Sequence, residues 1–482
     1  MVPLLAALPP LGAMEVVVDT VIDATRVTLD LDGADIQVYL ESGGENLLQV
    51  RAIEGVLAAQ GLELVRHDDG EVVLTRQYDP STSPRPPHLT VDLLLSPGTP
   101  LRLSGHSLWL RMEPVAAPVP ADPGTGSGIG PPGHRRSARE SSVDVPPEGT
   151  EIPVDLELDL ESSQVEIFGI PTVTGVVRRS DLQLTASTTW LDLDLVDTTG
   201  VIADHRGRLA VRAIGGQTFV HDSAGTSSLR LVGGETLVER GRGQLEVSVF
   251  DGAKTTLTDF QGDLVLRGAG GTIVGTRLRS SGRGIDIEGE DLNAIFQDCR
   301  STINGALRGG RLEATLWQGA GTLAIYGGAE VDLGDWEGRL NFAIHEGGRG
   351  RVRALRGLLD ANVHGARLEV EDTQRLNLVA QDAVLFARGI RHLAGFRANG
   401  TEVDLDLRSL QGNRSRLHLH EATHARVTLA GPCAVRIPGA TEIPSGVMVH
   451  GCEPPGAANA APEGTLLSLE ISPDSEITVE GF

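Results

Sequence analysis

The chain is poor in rings, in cysteine and in lysine. Among 482 residues there are only four Trp, three Tyr and nine Phe. Acids outnumber bases, 65 Asp plus Glu against 41 Lys plus Arg, for a formal charge of −24. A nucleic-acid binder needs a basic face and usually stacking aromatics, so no nucleic acid is expected as a partner. No apolar run approaches the roughly 18 residues of a membrane-spanning helix, so no membrane span is expected. The three cysteines, Cys299, Cys433 and Cys452, are too few for a disulfide scaffold. None sits in a CxxC pair that would hold zinc or do redox work. Lys254 is the only lysine, with arginine everywhere else. That bias reads as coding preference and not as function.

Glycine is abundant, with 60 residues, well above the average share of about 7%. The dominant pattern is short period-two alternation ended by Gly, Asp or Asn. Leu245, Val247 and Val249 form one run; Leu340, Phe342 and Ile344, Val403, Leu405 and Leu407, and Leu417 and Leu419 form others. Alternation at period two places every apolar side chain on one face of a strand. Starting points from Gln164 to Cys452 recur at a mean spacing of about 19 residues, the mark of stacked repeats. Two or three short strands and no helix per repeat describe one turn of a solenoid. The fold class expected is therefore all-β, a right-handed parallel β-solenoid with rungs of about 19 residues. A narrow interior should favour Leu, Val, Ile and Ala over large rings. Corners need positive φ, which Gly supplies. An antiparallel sandwich also alternates, but it would call for tight Asn-Gly or Asp-Gly hairpins at regular spacing.

The expected organisation has six parts. Residues 1–13, MVPLLAALPPLGA, form an apolar tail or signal remnant without a basic n-region. Residues 14–113 are a β-rich section, with one short helix allowed around Ile53, Val56 and Leu57. Residues 114–150 are a flexible Pro/Gly/Ser-rich linker. The solenoid occupies 151–452, a second short linker 453–464, and a strand pair closes the chain at 465–482.

His88 to Ser104, HLTVDLLLSPGTPLRLS, has a strand, a Pro-Gly turn and a strand. Gly262 to Ile273 and Arg416 to Leu429 share its texture. These segments resemble bacterial adhesin-type parallel β-solenoid domains. The resemblance implies surface adhesion, and it carries no catalytic residues.

His420-Glu421-Ala422-Thr423-His424 spells H-E-x-x-H, which works as a zinc site when a helix aligns its two His. Here strand alternation flanks it on both sides. The motif should therefore lie in a turn, as solvated histidines, with His418 nearby. Carboxylates recur at i, i+2 in Asp155, Glu157, Asp159 and Glu161, in Asp192 and Asp194, and in Asp404 and Asp406. Such residues can serve a calcium-dependent polysaccharide lyase, but they also suit a solvated strand face. Gly124 to Gly130 is a hinge without a preceding strand. Arg349, Arg351, Arg353 and Arg356 form a basic patch that acids on adjoining rungs could offset. No catalytic residue, cofactor or metal site is assigned.

Cys433 and Cys452 are 19 residues apart, one expected rung. Rung neighbours stack about 4.8 Å apart, within the Cα spacing of roughly 4.4–6.8 Å that a disulfide needs. A bridge is expected there, pinning the last rung, with free core thiols as the alternative. The functional expectation is a non-enzymatic structural or adhesin-like protein of the bacterial cell envelope, periplasmic or at the cell surface. It would present an extended surface to an unknown ligand or to its own copies. A polysaccharide-active β-helix and a cytoplasmic polymerising scaffold are the alternatives.

Overall fold

The computed structural model describes residues 14–40, 46–53, 62–76, 89–96, 98–114, 155–280, 282–411, 414–439, 443–452 and 465–481. The apolar tail, the short helix allowed after Ile53, the Gly124 to Gly130 hinge and nearly all of both linkers lie outside those residues. The described chain is all strand, a parallel β-solenoid of about 15 turns. It divides into two compact units, residues 1–211 and 212–482.

Alternation builds the strands. In Asp155–Glu161, Leu156, Leu158 and Leu160 are buried while Asp155, Glu157 and Asp159 face solvent. Each turn contributes two strands to two parallel sheets. In the first unit Gln164 lies beside Asp181, and Asp181 beside Thr199, steps of 17 and 18 residues. In the second unit Gln217 pairs with Glu235, and Glu235 with Lys254, steps of 18 and 19. The step from Thr272 to Asn293 is longer at 21.

Glycine does less of the cornering than the composition suggests. One corner of most turns is made by a non-glycine residue in the left-handed region, with Gly169 and Gly389 as exceptions, and the residue after it is buried. Asp222, Arg240, Asp259 and Arg277 hold φ near +51° to +57° there in the second unit, and Ala186 (φ 58°) and Asp204 (φ 53°) in the first. Asp is the most frequent choice, since its short polar side chain tolerates this conformation. Glycine pairs such as Gly233-Gly234 make the opposite corner. A third role is unexpected. Gly225, Gly243 and Gly262 stack in register within the longer strands, at φ of 123°, 112° and 146°. A Cβ on Gly243 would lie 2.1 Å from the Gly225 carbonyl oxygen. Only glycine lets these backbones approach.

The interior also admits large rings, contrary to expectation. Trp317, Trp336, Phe296, Phe342 and Phe396 are among the largest fully buried side chains. Trp317 and Trp336 stack with centroids 5.2 Å apart, and Phe296 meets Trp317 edge-on at 6.0 Å. The indole N–H of Trp317 donates to the Ser301 carbonyl (2.8 Å), and that of Trp336 to the Gly319 carbonyl (3.1 Å). Trp317 and Trp336 fit at a corner, each after a left-handed residue, whereas Phe296 and Phe342 lie within strands against Gly275 and Gly350, whose lack of a side chain makes room.

At each end the stacking order departs from the chain order. In the first unit the turn formed by Arg26–Asp30 and Ala34–Leu40 lies between two later turns. One is Glu71–Arg76 with Leu89–Leu95, the other Leu101–His106 with Trp109–Pro114. Antiparallel strands Leu62–Arg66 and Asn46–Ile53 then cover the outer turn, and Met14–Ile22 pairs with Asn46–Ile53. The two strands before residue 115 continue the same parallel stack, in register with Asp155–Glu161 and Gln164–Phe168. The expected division between 14–113 and a solenoid at 151–452 is therefore not a break in strand pairing.

In the second unit the final strands do not close the stack. Thr465–Ile471 and Glu476–Gly481 insert between the turn of Arg414–His420 and His424–Leu429 and the turn of Cys433–Arg436 and Val447–His450. Inserted strands make ladder bonds on both edges, which leaves a shorter turn outermost. Its strands have only four residues each, a length that limits edge-to-edge pairing.

Candidate functional site: the outward ladders

Stacking strands in register turns each outward position into a column of side chains. In the second unit one column runs Arg311, Glu330, Arg349, Arg367. Its neighbour runs Glu313, Asp332, Arg351, Glu369. Together they border an open groove of about 480 Å³. The arginine patch read from the sequence lies here and is offset by acids on adjoining turns. Arg349 meets Glu330 at 3.4 Å, Arg353 meets Asp332 at 2.8 Å, and Arg351 reaches Glu371 at 3.3 Å. The fourth member, Arg356, stands in register with Glu337.

The left-handed corner carries a second ladder, alternating in sign. Arg240 donates two hydrogen bonds to Asp222 (2.8 and 2.7 Å), and Arg277 two to Asp259 (2.6 and 2.7 Å). Hydrogen bonds from these guanidinium groups hold both carboxyls below the usual carboxylate range. Arg408 does the same to Asp406. Burial pulls Glu371 upward, but hydrogen bonds from Arg388 and Arg351 outweigh it and its net shift is downward. Among the described residues every carboxylate with a resolved shift is lowered. That is the direction of ion pairing and not of a proton donor at neutral pH.

The H-E-x-x-H segment sits at a corner between Arg414–His420 and His424–Leu429, with Glu421 and Ala422 at φ of 44° and 48°. The His420 ring lies beside that of His418, with centroids 6.4 Å apart. His424 Nδ1 is 3.3 Å from Glu476, and the neighbouring His418 Nδ1 is 2.7 Å from Glu470. Among the described residues no group of three metal-ligating side chains converges. Three of the paired carboxylates meet arginines: Asp159 with Arg178 at 2.8 Å, Glu157 with Arg102 at 3.9 Å, and Glu161 with Arg179.

Cys433 and Cys452 are joined, with Cα atoms 4.8 Å apart. The bridge ties the beginning of the outermost turn to its end. Its sulfurs lie over Gly481 of the inserted strand pair, where a Cβ would be 2.6 Å from Cys433 Sγ and 2.9 Å from Cys452 Sγ. Cys299 is buried, and desolvation pushes its thiol up to about 11.

Three features escaped the sequence reading. His205 is fully buried in a corner of the first unit, its Nδ1 2.7 Å from Ser187 Oγ. Burial lowers its pKa, with backbone hydrogen bonds opposing. In the second unit Tyr326, His345 and His364 form an outward ring column, with centroid spacings of 5.2 and 6.5 Å. Their 19-residue spacing was the available signal. Finally, an open groove of about 470 Å³ in the first unit is lined by Trp109, Gln164, Asp181, Asp197, Arg179 and Asp35.

Comparison of the chain with protein-family models, curated proteins and solved structures finds no match. Among the described residues no helix is long and apolar enough to cross a membrane.

Proposed function

We propose that this protein is a non-enzymatic β-solenoid of the bacterial cell envelope, of structural or adhesin type, which presents an extended surface to a ligand. The observation that carries the reading is how the outward charges are used. Acids and arginines pair from turn to turn along the columns, and arginine partners hold Asp222, Asp259 and Asp406 below the usual carboxylate range. Charge arranged in this way makes a stiff, hydrated face. A glycoside hydrolase would instead hold a carboxyl group of raised proton affinity beside a second carboxylate at one cleft.

The Cys433–Cys452 bridge supports an oxidising compartment, where such bonds persist. The polymerising alternative needs ends that accept another copy. The antiparallel cover in the first unit and the four-residue outer strands in the second weigh against it.

The test is fractionation of the native host with intact-mass measurement before and after reduction. The expected result is recovery in the envelope fraction and a gain of two hydrogens on reduction. Recovery in the cytosol with three free thiols would overturn the reading. A calcium-dependent lyase assay on polygalacturonate and alginate is expected to show no turnover, and turnover would restore the enzymatic alternative.

A further inference from the structure

The two outward tryptophans of the first unit differ in what they touch. Trp190 is 42% exposed, and the Arg208 guanidinium lies over its ring at 5.3 Å. That ring face already has a partner. Trp109 is half-buried and makes no ring or cation contact among the described residues. The buried indoles Trp317 and Trp336 both donate to backbone carbonyls. No protein acceptor for the Trp109 indole N–H is found among the described residues. Placing a large ring outward on an acidic, ring-poor solenoid gains little for folding, because an outward position buries only part of it.

The surroundings of Trp109 are specific. Register puts Asp35 on one side of it and Gln164 on the other, with Asp181 one turn beyond Gln164. Neighbouring turns stand about 4.8 Å apart, so these groups lie along one line. The adjacent corner column adds Ser107, Ser162, Arg179 and Asp197, all with positive φ from 48° to 58°. Carboxylates, an amide and hydroxyls thus border one indole in a groove of about 470 Å³, within the range of roughly 300–1,000 Å³ typical of small-molecule sites.

We infer that the Trp109 groove is a saccharide-binding site, for neutral or amino sugars. The apolar face of a sugar ring stacks on the indole, while its hydroxyls donate to carboxylates and exchange hydrogen bonds with Gln164 and the serines. Charge sets the class. Asp181 and Asp197 border the groove with no ion pair among the described residues, and Arg179, the guanidinium lining it there, is held by Glu161. Uronic and sialic acids would therefore meet repulsion. A cationic peptide would satisfy the carboxylates but would leave the neutral amide and hydroxyls without a matched partner.

The inference names a ligand class for the surface-presenting reading and rests on it only for access to external glycans. Its test uses the full-length purified chain. Binding is screened on an array of neutral, amino and acidic oligosaccharides, with an arginine-rich peptide beside them, and the tightest hit is titrated calorimetrically. The expected outcome is selective binding of neutral or amino sugars. Trp109→Ala should weaken it by about tenfold or more, as when a buried contact ring is lost. Trp109→Phe, which keeps a stacking face, should retain most of it, and Trp190→Ala should leave it unchanged. Circular dichroism establishes that each variant is folded. Absence of sugar binding by the folded wild type, preference for acidic sugars or the peptide, or binding indifferent to Trp109→Ala would each overturn the inference. Envelope location with no sugar binding would sink this inference alone. Sugar binding by a cytosolic protein would sink the surface reading alone.

Discussion

The same corner is filled differently in the two units. In the second, the residues after the left-handed position include the buried rings Phe260, Trp317 and Trp336, alongside Ser223, Leu278, Cys299 and Thr373. In the first, Ser187 and His205 stand there with Ser187 Oγ 2.7 Å from His205 Nδ1, and Ile170 follows the left-handed Gly169. Tryptophan shows the reverse. The second unit buries both of its indoles, and the first turns both of its own outward. The corner geometry therefore does not dictate chemistry. It offers a wide pocket that can take an indole or a small polar pair. Both exteriors are charge-paired, and the second unit also carries an outward ring column, so the contrast is confined to tryptophan.

Substitutions can break this comparison, and the largest effect is expected at the glycine column. Gly243→Ala in the second unit puts a Cβ 2.1 Å from a carbonyl oxygen at φ +112°. A loss on the order of 4 kcal/mol or outright misfolding is expected, read by urea denaturation. Gly98→Ala in the first unit meets nothing within 4 Å and bears only its φ of +83°. It should cost about 1 kcal/mol. Equal losses at both sites would show that backbone strain and not close approach selects these glycines.

Tryptophan comes next. Trp336→Ala should cost about 3–5 kcal/mol, as large-to-small core changes do. Trp109→Ala should cost under about 1 kcal/mol. A comparable thermal shift for the two would mean that Trp109 is structural, and the functional contrast between the units would fail.

The disulfide sharpens the picture at one end. Cys452→Ser should remove about 3 kcal/mol in the chain-entropy account of a loop this size. The loss should be local, with faster amide exchange confined to residues 433–452 and the adjoining strand pair 465–481. Uniform exchange across the second unit would show that the end and the body unfold together.

The smallest effect belongs to the polar corner. Burial lowers the His205 pKa below its ordinary 6.5. The unfolded chain then binds a proton that the folded chain refuses. Stability contributed by neutral His205 is full above pH 6.5 and declines as pH falls from there toward the folded pKa. His205→Gln should flatten that part of the stability profile in the first unit. An unchanged slope would place the acid sensitivity elsewhere.

Much of the fold was legible, for a plain reason. Period-two alternation such as Leu156, Leu158 and Leu160 permits only a strand, and its recurrence near every 19 residues permits only a stack of similar turns. The offset arginines were legible too, since Glu330 and Arg349 are one turn apart. The Trp109 groove was not. Asp35, Trp109, Gln164 and Asp181 are scattered over 147 positions with residues 115–154 between two of them, and only pairing register aligns them. The ring-filled corner was hidden for a related reason. Trp317 and Trp336 each follow a left-handed residue, Leu316 or Asp335, which flips the alternation and sends inward a side chain that simple counting would misplace.

By itself the sequence determined local conformation: strand alternation, turn length, and the acidic, ring-poor character of the exterior. These depend on neighbours a few residues apart. Tertiary structure decided which turn lies beside which. The inserted turns at 26–40 and 465–481 show the difference. Their strands have the same alternation as any other, so local preference cannot choose their place. They gain ladder bonds on both edges by lying one turn inside the end, and covered or shortened strands are left outermost, where a full open edge would be exposed.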